Sequence, residues 1–279
     1  MSAQYSQVVQ TAQQYYNSDD ADNFYFHIWG GEDIHIGMYR GSSEDIATAS
    51  QRTVDTMASK LKAVSTESRI VDLGAGYGGA ARYLSKRFGC GVDCINLSET
   101  QNQRNRQISS EQGFDDKIAV VDGSFEHLPY DEARFDVAWS QDSFLHSGER
   151  AKVMGEINRT LKPGGQVIFT DPMQADDCPP GVLQPVLDRI HLDTLGSVAF
   201  YREQAEQLGW EEVEVDLMTE QLVNHYTRVR EELLGRKQEL TEWVSAAYIE
   251  RMAEGLKHWI EAGNKGYLAW GILLFRKPG

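Results

Sequence analysis

Ile70-Val71-Asp72-Leu73-Gly74-Ala75-Gly76-Tyr77-Gly78-Gly79 decides how the chain is read. Arg69-Ile70-Val71 has the character of the end of a buried parallel strand. Four glycines in six positions then make a turn that lets backbone approach a ligand, and Ala80-Ala81-Arg82-Tyr83-Leu84 opens a helix beyond it. A dinucleotide fingerprint, Gly-x-Gly-x-x-Gly, would set a pyrophosphate on that helix N-terminus. Here a carboxylate, Asp72, precedes Gly74-x-Gly76-x-Gly78-Gly79, which suits a ligand presenting an ammonium group instead of phosphates. The competing reading is a glycine-rich turn with a purely structural purpose.

Outward from the turn, strand and helix patterns alternate at short spacing. Helix Gly79–Phe88 leads to strand Gly91–Leu97, helix Glu99–Gln112 and strand Ile118–Val121. Strand Phe135–Ser140 precedes a helix holding Leu145-His146 and another over Arg150–Leu161; Lys162-Pro163-Gly164-Gly165 is a turn before strand Gln166–Thr170. This rhythm predicts a doubly wound, parallel α/β sheet. Upstream, residues 1–20 read as one helix, with Tyr5, Val8, Val9, Ala12 and Tyr15/Tyr16 at helical spacing and Ser18-Asp19-Asp20 ending it. The aromatic run Phe24–Tyr39, bent at Gly30-Gly31, suits a lid over a ligand, and 44–63 reads as an amphipathic helix. Downstream, 182–195 and 198–208 read as helices, Glu211–Leu217 as a strand returning to the sheet, 220–262 as long and helical, and Tyr267–Arg276 as a buried final strand. The segments expected are 1–66 as a helical and aromatic lid, 67–172 as the sheet core, and 173–279 as cap helices and closing strands of the same sheet.

At 279 residues the chain can bury a sizeable core, and 41% hydrophobic with 25% charged residues is ordinary for a globular protein. Twenty-seven basic against 42 acidic residues leave a net charge of −15, which argues against nucleic acid or an anionic membrane as a partner. Dense acidity fits either simple solubility or adaptation to high salt. Cys90, Cys94 and Cys178 form no Cys-x-x-Cys pair and read as core thiols of a reducing cytoplasm; no histidine spacing suggests a metal. No apolar run is long enough to span a bilayer, and the polar start lacks the features of a signal peptide. A cytoplasmic monomer or homodimer is expected.

In an open α/β sheet, ligands bind outside the carboxyl ends of the strands. Strand one ends in the glycine turn, and strand two at Asn96, where an acid normally holds ribose hydroxyls; an amide can still bond a hydroxyl, more weakly. Strand three ends at Asp122, placed to take an adenine amino group, with Gly123, Ser124 and Phe125 offering backbone N–H groups. Strand four ends at Ser140-Gln141-Asp142. Val71-Asp72-Leu73-Gly74-x-Gly76, with these strand ends and the Lys162–Gly165 turn in order, resembles the class I methyltransferases. That resemblance implies a Rossmann-like sheet with a helical N-terminal lid and cap insertions, and S-adenosylmethionine (SAM) as the methyl donor, leaving S-adenosylhomocysteine. It implies cofactor contacts at Tyr25, Asp72, Gly74, Gly76, Asn96, Leu97, Gln101, Asp122, Gly123, Ser124, Phe125 and Ser140, and no metal.

Asp142 and His146 are four apart and would share one face of a helix. A buried, satisfied histidine and an N-cap aspartate are the plain readings. Together they suit an amine acceptor, because a carboxylate attracts a cationic nitrogen and an imidazole of near-neutral pKa can take its proton. Ser140–Ser147 resembles the acceptor segment of phosphoethanolamine methyltransferases, in which a tyrosine of the N-terminal helix latches onto the histidine; Tyr15 or Tyr16 would be that tyrosine here. Over nearly the whole chain, Phe24–Tyr39, Ser140–Ser147, Thr170-Asp171-Pro172-Met173-Gln174, Arg189–Ser197 and Gly266–Gly271 resemble the sarcosine/dimethylglycine N-methyltransferases of halophilic microbes. The resemblance implies methylation of sarcosine and dimethylglycine to glycine betaine, an osmolyte. Tyr15, Tyr16, Trp29 and Tyr201 are candidates to face the quaternary product, and Arg189, His191, Arg202 and Lys265 to hold the substrate carboxylate. The alternatives are another small amine (phosphoethanolamine or glycine), a SAM-binding regulator without catalysis, and a nicotinamide oxidoreductase, whose phosphate-type turn is absent.

Overall fold

A computed structural model describes residues 7–29, 31–190 and 192–279, with side chains from residue 9 onward. The chain runs through α1 (Gln7–Tyr16), α2 (Asp19–Ile28) and α3 (Ile46–Lys60) into β1 (Arg69–Leu73), then α4 (Gly79–Phe88), β2 (Gly91–Asn96), α5 (Glu99–Glu111), β3 (Ile118–Asp122) and β4 (Phe135–Gln141). After a single 3-10 turn at Phe144–His146 come α6 (Arg150–Thr160), β5 (Leu161–Thr170), β6 (Met173–Gln174), α7 (Gln184–Ile190), α8 (Val198–Gln207) and β7 (Glu211–Leu217). It closes with α9 (Thr219–Gly235), α10 (Lys237–Leu240), α11 (Ala246–Asn264), β8 (Leu268–Ala269) and β9 (Gly271–Arg276).

Seven strands form one sheet in the order β3-β2-β1-β4-β5-β9-β7, with β1 to β5 parallel, β9 antiparallel to β5, and β7 antiparallel to β9. Alternation along the strands explains how both faces are covered. Ile70, Val92, Val137 and Trp139 pack with α3 and α4 on one side, while Val71, Leu73, Ile95 and Phe169 pack with α6 and α8 on the other. β1 lies between β2 and β4, with Asp72 paired to Cys94 on one side and Trp139 on the other. The order reverses there, so the crevice at the end of β1 is where a ligand belongs. A third cluster, from α2, α9 and α11, roofs that crevice with Phe24, Tyr25, Trp29, Tyr226 and Trp259.

Several sequence expectations change. The expected helix over 1–20 is two helices, because Ser18 does not end one but caps the next: its hydroxyl accepts from Ala21 N. The aromatic run therefore begins as helix α2, its apolar side turned into the roof. Tyr5, the side chain of Val8, and Gly30 lie outside the described residues. Asp142 and His146 are not on an α-helix. Asp142 has φ +50 and is followed by the 3-10 turn, so the chain turns rather than coils between them. Lys162-Pro163-Gly164-Gly165 lies within β5, and the long helical stretch is broken into α9, α10 and α11. None of the helices among the described residues is long and apolar enough to cross a membrane.

Candidate active site

The glycine turn and the roof enclose two adjoining chambers. Asp72, Gly74, Gly76, Asn96, Leu97, Gln101 and Phe125 line the one over the turn; Tyr15, Tyr25, Trp29, Arg189, Tyr226 and Trp259 line the one under the roof. Ala12, Tyr16, Ile34, His35, Asp142 and His146 belong to both and form the wall between them.

In the first chamber Gly74 has φ +80, and a Cβ there would run into the side chain of Ser143, so only glycine lets β1 turn beneath the cavity. Asp72 is buried, its Oδ2 has no partner among the described residues, and burial pushes its carboxyl up to about 7, with His35 opposing and Asp33 adding to the rise. Gln101 Nε2 and Gln141 Nε2 are also buried without a partner among the described residues. An orphaned acid and two orphaned amide donors around a glycine cradle fit a ligand with an ammonium group and several acceptors, as SAM has. Asn96 donates through Nδ2 to Gln101 Oε1 at 3.0 Å, which orients that amide.

Not every expected cofactor residue lines this chamber. Asp122 is exposed at the end of β3, accepting from Asn102 at 2.8 Å and Arg106 at 2.7 Å. Gly123 and Ser124 lie outside the lining, with Ser124 Oγ accepting from Glu126 N. Ser140 is buried and donates to Leu73 O at 2.7 Å, tying β4 to β1. Tyr25 lines the roofed chamber instead.

At the shared wall, the Tyr16 hydroxyl lies 2.8 Å from His146 Nε2. Burial, reinforced by Tyr15, holds that phenol well above its usual range, so it stays protonated and donates to Nε2, leaving the imidazole proton on Nδ1. Burial, then Arg189 and Arg150, lowers His146 to about 4, so its imidazole is neutral at physiological pH instead of poised near neutrality. The turn carrying it is fixed by Asp171, whose Oδ1 accepts from Leu145 N at 2.8 Å and whose Oδ2 accepts from Tyr201 OH at 2.7 Å. Asp142 accepts from Ile36 N at 2.6 Å and from Trp270 Nε1 at 2.8 Å, pinning the 31–37 segment to the end of the sheet.

Arg189 reaches the roofed chamber from α7, half-buried, with Nη2 at 3.7 Å from Met252 Sδ. No carboxylate pairs with it among the described residues. The other expected substrate groups lie elsewhere. Tyr201 is fully buried beneath the sheet end, Arg202 pairs with Glu212 at 2.7 Å on the surface, Lys265 is exposed after α11, and His191 lies outside the described residues. Sequence reasoning passed over His35, Gln141, Tyr226 and Trp259. His35 and Gln141 stood inside quoted stretches, while Tyr226 and Trp259 carry no local signal on helices far along the chain.

A doubly wound sheet with a glycine cradle, an orphaned acid and a neutral imidazole beside an aromatic chamber is the build of a SAM-dependent methyltransferase. A family profile described as "Methyltransferase domain" matches residues 71–169. The chain is 58% identical to the sarcosine/dimethylglycine N-methyltransferase of Halorhodospira halochloris over 97% of both chains. It is also 58% identical to that of Aphanothece halophytica, over 97% of this chain and 98% of the relative. A crystal structure from Galdieria sulphuraria, described provisionally as a sarcosine dimethylglycine methyltransferase, superposes with a TM-score of 0.90 at 43% identity, covering 95% of this chain and 99% of that one. The chain belongs to the sarcosine/dimethylglycine N-methyltransferase family.

Proposed function

We propose that this protein methylates sarcosine and dimethylglycine, with glycine betaine as the end product. The observation that supports this best is the roofed chamber: Arg189, with no carboxylate partner among the described residues, shares it with an aromatic box and the Tyr16–His146 pair. A small zwitterion fits that arrangement. Its carboxylate takes Arg189, which offers two parallel N–H groups. Its nitrogen lies toward the wall, with the faces of Tyr15, Tyr25 and Trp29 around the positive charge.

Both substrates reach the site as ammonium ions, and the nitrogen must shed a proton before its lone pair can attack. Tyr16 holds the lone pair of His146 Nε2, so the proton moves by relay: the tyrosine passes its own proton to Nε2 and takes the substrate's. Substrate binding aids this step. Arg189 is the second cause of the low His146 pKa, and a carboxylate on Arg189 cancels part of that charge and makes the imidazole a better base. Asp72, Gln101 and the glycine turn would hold SAM, which would supply a methyl group on a cationic sulfur. The remaining work of the chain is positioning the amine for in-line displacement.

A phosphate-bearing amine is the second reading. It is disfavoured because, among the described residues lining the roofed chamber, Arg189 is the one arginine or lysine. The net charge of −15 fits a cytoplasmic enzyme working in a cell under osmotic stress. The test is incubation with SAM and, separately, glycine, sarcosine, dimethylglycine and phosphoethanolamine, with products weighed by mass spectrometry. Betaine from dimethylglycine is expected; methylation of phosphoethanolamine alone would overturn the assignment.

A further inference from the structure

Among the described residues Arg189 has no ion-pair partner, and its guanidinium is positioned by packing. The stem lies against α11, where Met252 and Gly255 stand three residues apart on one face. Gly255 is buried in the middle of a 19-residue helix and its φ is not in the left-handed region, so the backbone does not require glycine there. A mid-helix glycine is less favourable than alanine. Space explains it: a Cβ at 255 would run into Arg189 Cδ and lie 2.7 Å from Nε.

We infer that Gly255 is a positioning residue for substrate recognition: the missing side chain on α11 is the seat in which the Arg189 stem lies, and it sets where the guanidinium meets the substrate carboxylate. Met252 forms the other side of the seat. Its sulfur lies 3.7 Å from Arg189 Nη2 and accepts from Tyr15 OH at 3.7 Å, so the lid helix α1 and the arginine share one support. The clash is with the far part of a flexible side chain and not with backbone. Gly255→Ala should therefore move the arginine and leave the helix intact.

This rests on the proposed pairing of Arg189 with a substrate carboxylate, and the experiment separates the two. Gly255→Ala, Arg189→Met and the double variant are compared for KM and kcat with dimethylglycine, for SAM affinity by calorimetry, and for thermal stability. Gly255→Ala is expected to raise KM at least about tenfold, the scale of one lost charge-assisted hydrogen bond. Its SAM affinity should stay unchanged and its melting temperature should not fall, and adding Arg189→Met should cost nothing further, because both changes remove the same contact. Unchanged KM in Gly255→Ala with a raised KM in Arg189→Met overturns the seat and leaves the carboxylate pairing standing. Unchanged KM in Arg189→Met overturns both. Should Gly255→Ala fail to fold, Met252→Leu tests the seat from its other side: a raised KM with normal SAM affinity supports it, and wild-type KM overturns it.

Discussion

His146 and Tyr16 act as a unit if the relay is right, and units lose activity non-additively. His146→Ala and Tyr16→Phe should each lower kcat by about 10²–10⁴-fold, the range of a lost acid–base group, with SAM affinity unchanged and the double variant no worse than either. Equal losses of kcat and SAM affinity would instead make the pair structural. Asp72 gives a pH prediction. Its free carboxyl is raised to about 7, and only the ionised form pairs with an ammonium, so SAM affinity should fall as pH drops below about 7. Binding near pH 7 should also release a proton, visible in calorimetry as a heat that depends on the buffer's ionisation enthalpy. In Asp72→Asn both the affinity and its pH dependence should be lost; a retained pH dependence would assign it to another group.

Among the elements, the 31–37 segment depends on one carboxylate. Asp142 takes its Ile36 N–H and the Trp270 indole together, while Thr53 Oγ1 donates to Ile36 O at 2.9 Å from α3. Asp142→Asn leaves one acceptor for two donors. Faster amide exchange confined to the neighbourhood of Ile36, with weaker binding of both SAM and amine, is the expected outcome, because this segment walls both chambers. Exchange unchanged at Ile36 would show that Thr53 and neighbouring packing hold the segment unaided. Helix α1 is held in a similar way from several sides: Tyr15 OH lies 2.8 Å from Tyr248 OH, and Gln13 Nε2 donates to Leu97 O at 3.2 Å.

For the whole molecule, the surplus of acid is the dominant electrostatic fact. Basic residues are largely paired, as in Arg202–Glu212 and Arg276–Glu211, so the uncompensated charge is mostly negative and repels itself. Exposed pairs contribute little each, and salt screens repulsion as well as attraction. Screening this repulsion should raise the melting temperature as sodium chloride increases from about 0.02 M to about 0.5 M. A steady fall would mean that the surface pairs matter more than the net charge.

The sheet, its order of elements and the glycine turn were legible in the sequence because they rest on local causes: apolar strand patterns alternating with helical ones, and a backbone that only glycine fits at position 74. The family was legible for a related reason, since long strings such as Phe24–Tyr39 carry many local constraints at once. Distance in sequence hid the rest. That Asp122 is taken up by Arg106 and Asn102, that Tyr201 turns beneath the sheet to Asp171, and that Tyr226 and Trp259 roof the acceptor chamber depend on where helices dock. The pKa of His146 belongs there too. An imidazole expected near neutrality is pushed to about 4 by burial and by arginines, of which Arg189 is brought beside it only by the fold.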